Sequence, residues 1–188
     1  MSDYISTYLD ETVQIAREID RRSIAAAIEE FKAVKTRGGR LFILGVGGSA
    51  ANASHAVNDF RKIGGIETYA PTDNVAELTA RINDESWESA YANWLKGSKL
   101  GRNDLLLVFS VGGGSATTSL SLVRAMELAQ AVGCPIVSIV SRDGGFAKKA
   151  STACVLVPVI CKERITPHAE GWQSVVWHLM VNAMLSSQ

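Results

Sequence analysis

Leu41-Phe42-Ile43-Leu44-Gly45-Val46-Gly47-Gly48-Ser49 is an apolar run broken by glycines and closed by a hydroxyl side chain. Asp104-Leu105-Leu106-Leu107-Val108-Phe109-Ser110-Val111-Gly112-Gly113-Gly114-Ser115 repeats the arrangement. Neither run alternates polar with apolar residues. Such a strand is buried on both faces, as in a parallel sheet between helical layers. Glycines let the backbone turn sharply and come close to a ligand. A helix opening just after them presents free amides and the positive end of its dipole.

Outward from these two turns, strands and helices alternate. Ile5, Leu9, Val13, Ala16, Ile19, Ile24, Ile28 and Phe31 recur at helical spacing and predict one long amphipathic helix or a helix pair before Gly38-Gly39. A helix is expected from Ser49 to about Lys62, a short strand near Glu67 to Tyr69, and helices over Val75 to Ile82 and Glu85 to Leu95. A long helix should run from Ser115 to Ala131, with Thr117, Thr118 and Ser119 at its start. Further strands are expected over Pro135 to Val140 and Val155 to Val159, and a last helix over His168 to Leu185. The pattern is α/β, a three-layer sandwich around a central parallel sheet, flavodoxin-like, with a long N-terminal helical region. Ligands of such sheets bind beyond the carboxyl ends of the strands, where both turns lie.

Composition narrows the partners. The 188 residues are 47% hydrophobic, and 19 Lys plus Arg balance 19 Asp plus Glu. No basic excess or stripe marks a nucleic-acid surface, no apolar run is long enough to span a membrane, and the first residues lack the layout of a secretory signal. A cytoplasmic location is the expectation. Cys134, Cys154 and Cys161 are odd in number and have no CxxC spacing, which suits reduced thiols.

A small anion remains the favoured ligand. Gly47, Gly48 and Ser49 in the first turn, and Ser110, Gly112, Gly113 and Ser115 in the second, offer amides and hydroxyls to a phosphate. The first turn alone would serve equally as a tight strand-helix connection capped by Ser49. It is not a dinucleotide fingerprint, because Ala50 stands where the third glycine belongs, and no Walker lysine follows. No nucleotide cofactor is expected. His55 and Asp59 share a helix face at i and i+4. They read as an acid/base pair, two metal ligands or an ordinary surface pair.

Taken in order, Gly45 to His55 (GVGGSAANASH), Thr72 to Asp84 (TDNVAELTARIND), Phe109 to Ser115 (FSVGGGS), Val140 to Gly145 (VSRDGG) and a His-bearing last helix resemble the sugar isomerase (SIS) domain, and within it the phosphoheptose isomerases. The resemblance covers essentially residues 1–188 as a single domain. It implies a homotetramer with active sites between subunits, residues 1–37 helping to assemble it. The implied reaction converts sedoheptulose 7-phosphate, a phosphorylated seven-carbon sugar, into D-glycero-D-manno-heptose 7-phosphate. It places Ser49, Ser110 and Ser115 on the phosphate, and Asp73 near the substrate. It also implies one Zn2+ per subunit held by His55, Asp59, Glu170 and His178, with Asp59 or Glu170 as base and His178 as acid. Glu170 and His178 are eight residues apart, about 12 Å of helix, so they meet one point only if Glu170 lies at or before the helix start. Val46, Val111, Gly112, Gly114 and Asp59 depart from the usual motifs. They leave open an isomerase of another ketose phosphate. A non-catalytic sugar-phosphate sensor or partner-binding protein is the remaining alternative, against which retention of His178 argues.

Overall fold

The computed structural model describes residues 2–185. The N-terminal region is a helix pair, α1 (Ser2–Glu18) and α2 (Arg21–Thr36), broken where the Asp20 carboxylate accepts from the Arg22 N–H at 2.9 Å and caps α2. There follow β1 (Leu41–Leu44), α3 (Gly48–Lys62), β2 (Thr68–Tyr69), a 3-10 turn (Pro71–Asp73), α4 (Val75–Asp84), α5 (Trp87–Gly97), β3 (Leu105–Phe109), α6 (Leu120–Ala131), β4 (Ile136–Val140), α7 (Gly145–Ala150), β5 (Ala153–Leu156), a second 3-10 turn (Lys162–Arg164) and α8 (Ile165–Ala183). All strand pairs are parallel, in the order β2-β1-β3-β4-β5. The chain reverses direction across the sheet between β1 and β3, which makes that boundary the topological switch point.

Strand residues feed two cores alternately. Leu41, Ile43, Leu105, Leu107, Val137 and Ile139 pack beneath α2, α3 and α8. Phe42, Leu44, Leu106, Val108, Ile136 and Val140 pack beneath α5 and α6. This two-sided burial accounts for the unbroken apolar runs. The three cysteines are free thiols. Among the described residues no helix is long and apolar enough to cross a membrane.

Several boundaries differ from the sequence reading. Helix α6 starts at Leu120 rather than Ser115, because the Ser115 hydroxyl accepts from the Thr117 and Thr118 N–H groups and Ser119 turns left-handed at φ 55°. Strand β5 lies earlier than Val155 to Val159. The Val157 N–H makes a last bond to Val140 O at 2.7 Å, and Pro158 has no donor to continue the ladder. Helix α7 was not anticipated, and α8 starts at Ile165, ahead of the expected His168. Pro167 is accommodated in the first turn of α8, where amides need no helical partner. Ile5, Leu9 and Val13 are exposed rather than core-facing; the expected Ile19, just past the end of α1, is buried, and α1 itself packs through Glu11 and Ile15.

Candidate functional site

Because β1 and β3 are neighbours, the turns that follow them meet. Ser49, Ser110 and Ser115 line one cleft of about 410 Å3, together with Gly112, Gly114, Arg142 and Thr166. The Ser110 hydroxyl accepts from the Gly113 N–H at 3.0 Å. The Ser115 hydroxyl accepts from Thr117 and Thr118. Each therefore keeps its own O–H for a ligand. Among the described residues none hydrogen-bonds the Ser49 hydroxyl. The first turn is braced from behind by the Tyr91 hydroxyl, which donates to Gly45 O at 2.7 Å. Burial pushes that phenol up to about 12, so it stays a neutral donor.

The other expected phosphate residues do not line this cleft. Gly113 is packed against the Gly144 carbonyl, where a Cβ would collide, and its own carbonyl accepts from the Ala147 N–H of α7 at 2.9 Å. Its role is to seat α7. Gly47, at φ 65°, caps α3 and accepts from the Ala50 and Ala51 N–H groups. Gly48 meets the carboxylate of Glu170, which lies where a Cβ would project. Asp73 sits away from the cleft, beside Ser54, Asn58 and Arg61 on the far side of α3.

Helices α3 and α8 run side by side and carry the titratable groups. Asn52 Nδ2 donates to Glu170 O at 2.9 Å and to Gln173 Oε1 at 3.0 Å, locking the two helices together. Further along, His55, Asp59 and His178 bring one ligand atom each within 4.8 Å of one another. The three differ in what they touch. His55 is exposed and packs edge-on against Trp177 and His178. Asp59 Oδ1 accepts from Asn58 Nδ2 at 2.8 Å, leaving Oδ2 facing His178 Nε2 at 3.6 Å. His178 Nδ1 lies 2.7 Å from Ser174 O. A carbonyl only accepts, so Nδ1 carries the proton and neutral His178 turns a bare Nε2 toward a carboxylate. Two acceptors facing one another call for a cation between them, either a proton on Nε2 or a metal ion.

Glu170 does not join this cluster. Helix α8 begins five residues before it, so Glu170 and His178 are both inside one helix and separated along its axis. The carboxylate instead faces the N-terminus of α3 at Gly48. What remains is two imidazoles and one carboxylate, a set that suits a three-ligand zinc site with an open position.

Three contributors escaped the sequence reading. Asn52 and Gln173 looked like ordinary helix residues. Arg142, in the turn after β4, belongs to the cleft only because β4 lies beside β3. The motif VSRDGG was the available signal, but it does not by itself place Arg142 against the serines.

A SIS domain family model matches residues 4–141. The chain is similar to a phosphoheptose isomerase from a Roseiflexus species, 31% identical over 171 residues that span 84% of this chain and 83% of that protein. It is also similar to one from Aneurinibacillus thermoaerophilus, 24% identical over 190 residues covering 96% of this chain and 91% of that one. In fold it resembles the structure of a phosphoheptose isomerase from Neisseria gonorrhoeae, with a TM-score of 0.85 at 21% identity and 98% of each chain covered.

Proposed function

Because the chain belongs to the SIS domain family, we propose that it is a sugar-phosphate isomerase acting on a seven-carbon substrate. It would convert sedoheptulose 7-phosphate into D-glycero-D-manno-heptose 7-phosphate through an enediol. The observation that carries this reading is the arrangement along α3. Ser49 stands at its start in the hydroxyl-lined cleft, and His55 almost two turns later in the titratable cluster, a rise of about 9 Å. A ligand phosphorylated at one end and reactive at the other needs that kind of separation. Similarity to relatives named phosphoheptose isomerase supports the same substrate.

Ser49, Ser110 and Ser115 donate hydroxyl hydrogens to the phosphate and fix the carbon chain. His55, Asp59 and His178 would hold Zn2+. Bound there, the ion would supply Lewis-acid polarisation of the substrate carbonyl. Since His178 has only Nε2 free, it is either a ligand or the proton donor at a given moment, not both. With the ion held there, His55, Asp59 and His178 would be occupied as ligands, and Glu170 would be the carboxylate left to carry the proton from C1 to C2, its side chain turning from Gly48 at the phosphate end toward the cluster. Without the ion, Asp59 and His178 form the acid/base pair themselves.

The site belongs to an assembly in this reading. His55 is exposed, the His178 side chain is 41% exposed, and Val175 and Leu179 flank it on the open face of α8. A homotetramer with α1 and α2 at its contacts would close that face.

An NMR assay with sedoheptulose 7-phosphate, run before and after EDTA treatment and zinc addition, tests the proposal. Heptose 7-phosphate formation that falls with EDTA and returns with zinc supports both the reaction and the ligand role of the cluster. Turnover indifferent to EDTA would leave the reaction standing with Asp59 and His178 as acid and base. No turnover by folded protein would defeat the seven-carbon reading.

A further inference from the structure

We infer that Arg142 is the phosphate-selecting cation of the cleft, held in a strained backbone conformation so that its guanidinium meets the bound anion. The inference rests on the reading of the cleft as a sugar-phosphate site and names the residue that makes it selective for charge. Four observations converge on it. Arg142 lines the same cleft as Ser49, Ser110 and Ser115, and among the described residues it is the only cation that does. No ion pair of Arg142 is found among the described residues, so its charge is uncommitted. Asp143, the one acid of the lining among the described residues, accepts at Oδ1 from the Gly145 N–H, the first amide of α7, at 3.1 Å. Finally, the guanidinium stands beside the Gly112 backbone of the serine turn, with Arg142 Nη1 at 3.8 Å from where a Gly112 Cβ would project.

The backbone argues for function rather than accident. Arg142 has φ 56°, a left-handed conformation that glycine adopts at no cost and arginine does not. Strained residues persist when their surroundings over-determine them, and they gather at ligand sites. Here the turn is pinned on both sides. The Ser141 N–H donates to Val111 O at 3.0 Å and its hydroxyl to Val157 O at 2.8 Å, while the Gly144 N–H returns to Ser141 O at 3.0 Å. These bonds tie the Arg142 turn directly to the serine turn. Hydroxyl donors with one free guanidinium form a site for a phosphate dianion, which accepts two parallel N–H bonds from arginine.

The test uses Arg142→Gly and Arg142→Lys with inorganic phosphate as the probe, followed by sugar-phosphate kinetics. Arg142→Gly relieves the left-handed strain, so its melting temperature without ligand should equal or exceed that of the wild type. The rise in melting temperature produced by phosphate in the wild type should be abolished. In turnover, KM should increase roughly ten- to hundredfold with a smaller change in kcat. Arg142→Lys should recover part of the loss. Equal phosphate stabilisation of wild type and Arg142→Gly would overturn the assignment whatever the turnover shows. So would a wild type that phosphate does not stabilise at all. Absence of sedoheptulose 7-phosphate turnover with an Arg142-dependent phosphate response would defeat the seven-carbon reading and leave Arg142 in place.

Discussion

At His178 one ring nitrogen is committed and the other is not. The Ser174 carbonyl holds Nδ1–H, and Asp59 Oδ2 faces Nε2. That second contact is repulsive until a cation arrives, so Asp59 and His178 act as a unit. Asp59→Asn removes the charge that makes the cation favourable while keeping the shape. It should lower kcat by at least about 100-fold, the usual scale for losing a positioned acid/base or ligand group, with little change in melting temperature. Wild-type rates in Asp59→Asn would remove the cluster from the chemistry. Gly48 offers a separate probe of Glu170. An alanine there would displace only the flexible end of the Glu170 side chain, and alanine favours helix over glycine. Gly48→Ala should therefore fold as well as the wild type or better, yet lose about tenfold or more in kcat if Glu170 carries the proton. Unchanged kcat would exclude that placement of the base.

At the level of elements, α8 is the piece on which the site depends, and α1 fixes its start. Glu11 of α1 is buried, receives hydrogen bonds from Arg164 Nε at 2.8 Å and pairs with His168 Nε2 at 2.8 Å, with the Tyr8 ring stacked on His168. Arg164, then His168, holds the Glu11 carboxyl down from its ordinary 4.5 to about 2. A carboxyl depressed in the folded state stabilises the fold above its unfolded value, and that stabilisation drains away as pH falls from about 4.5 toward 2. Glu11→Gln should lower the melting temperature at pH 7 and flatten its decline across that acid window, as thermal melts at pH 7, 4 and 3 would reveal. An identical acid limb in both proteins would show that the link contributes nothing. None of this was visible from the apolar spacing of α1, which marked Ile5, Leu9 and Val13 as core and took no account of Glu11. The strands were legible because two-sided burial demands continuous Ile, Leu and Val. The serine turns were legible because glycine after a strand has few other uses. Helix α7 was not, since six residues opening on Gly145 are too short for periodicity to show. Glu170 joins the metal set only if it lies at or before the start of the last helix. The helix instead takes Pro167 into its first turn and carries Glu170 to the α3 terminus. Arg142 required the strand order, which neighbouring residues in the chain do not encode.

At the scale of the molecule, the unburied apolar surface has a pattern. Ile5, Leu9 and Val13 are 55%, 58% and 47% exposed and form one stripe along α1. Val175 and Leu179 are 49% and 46% exposed on α8, one on each side of His178. Contiguous exposed apolar residues mark a contact, and a site that moves protons has reason to exclude water. Both needs are met if copies of the chain pack through these faces. Leu9→Asp places a charge in the middle of the α1 stripe without touching the cleft or the cluster. Loss of a central apolar anchor weakens an interface by about 2 kcal/mol or more, roughly 30-fold in dissociation constant. Light scattering after size exclusion should show an oligomeric wild type and a smaller species for Leu9→Asp. If the sites are completed between subunits, turnover should fall in parallel with mass and return at high protein concentration. A Leu9→Asp protein that keeps the wild-type mass would exclude the α1 stripe from the interface. One that dissociates with full turnover would show that each copy of the chain carries a complete site, and the exposure of His55 would then be the entrance for substrate rather than half of a shared wall.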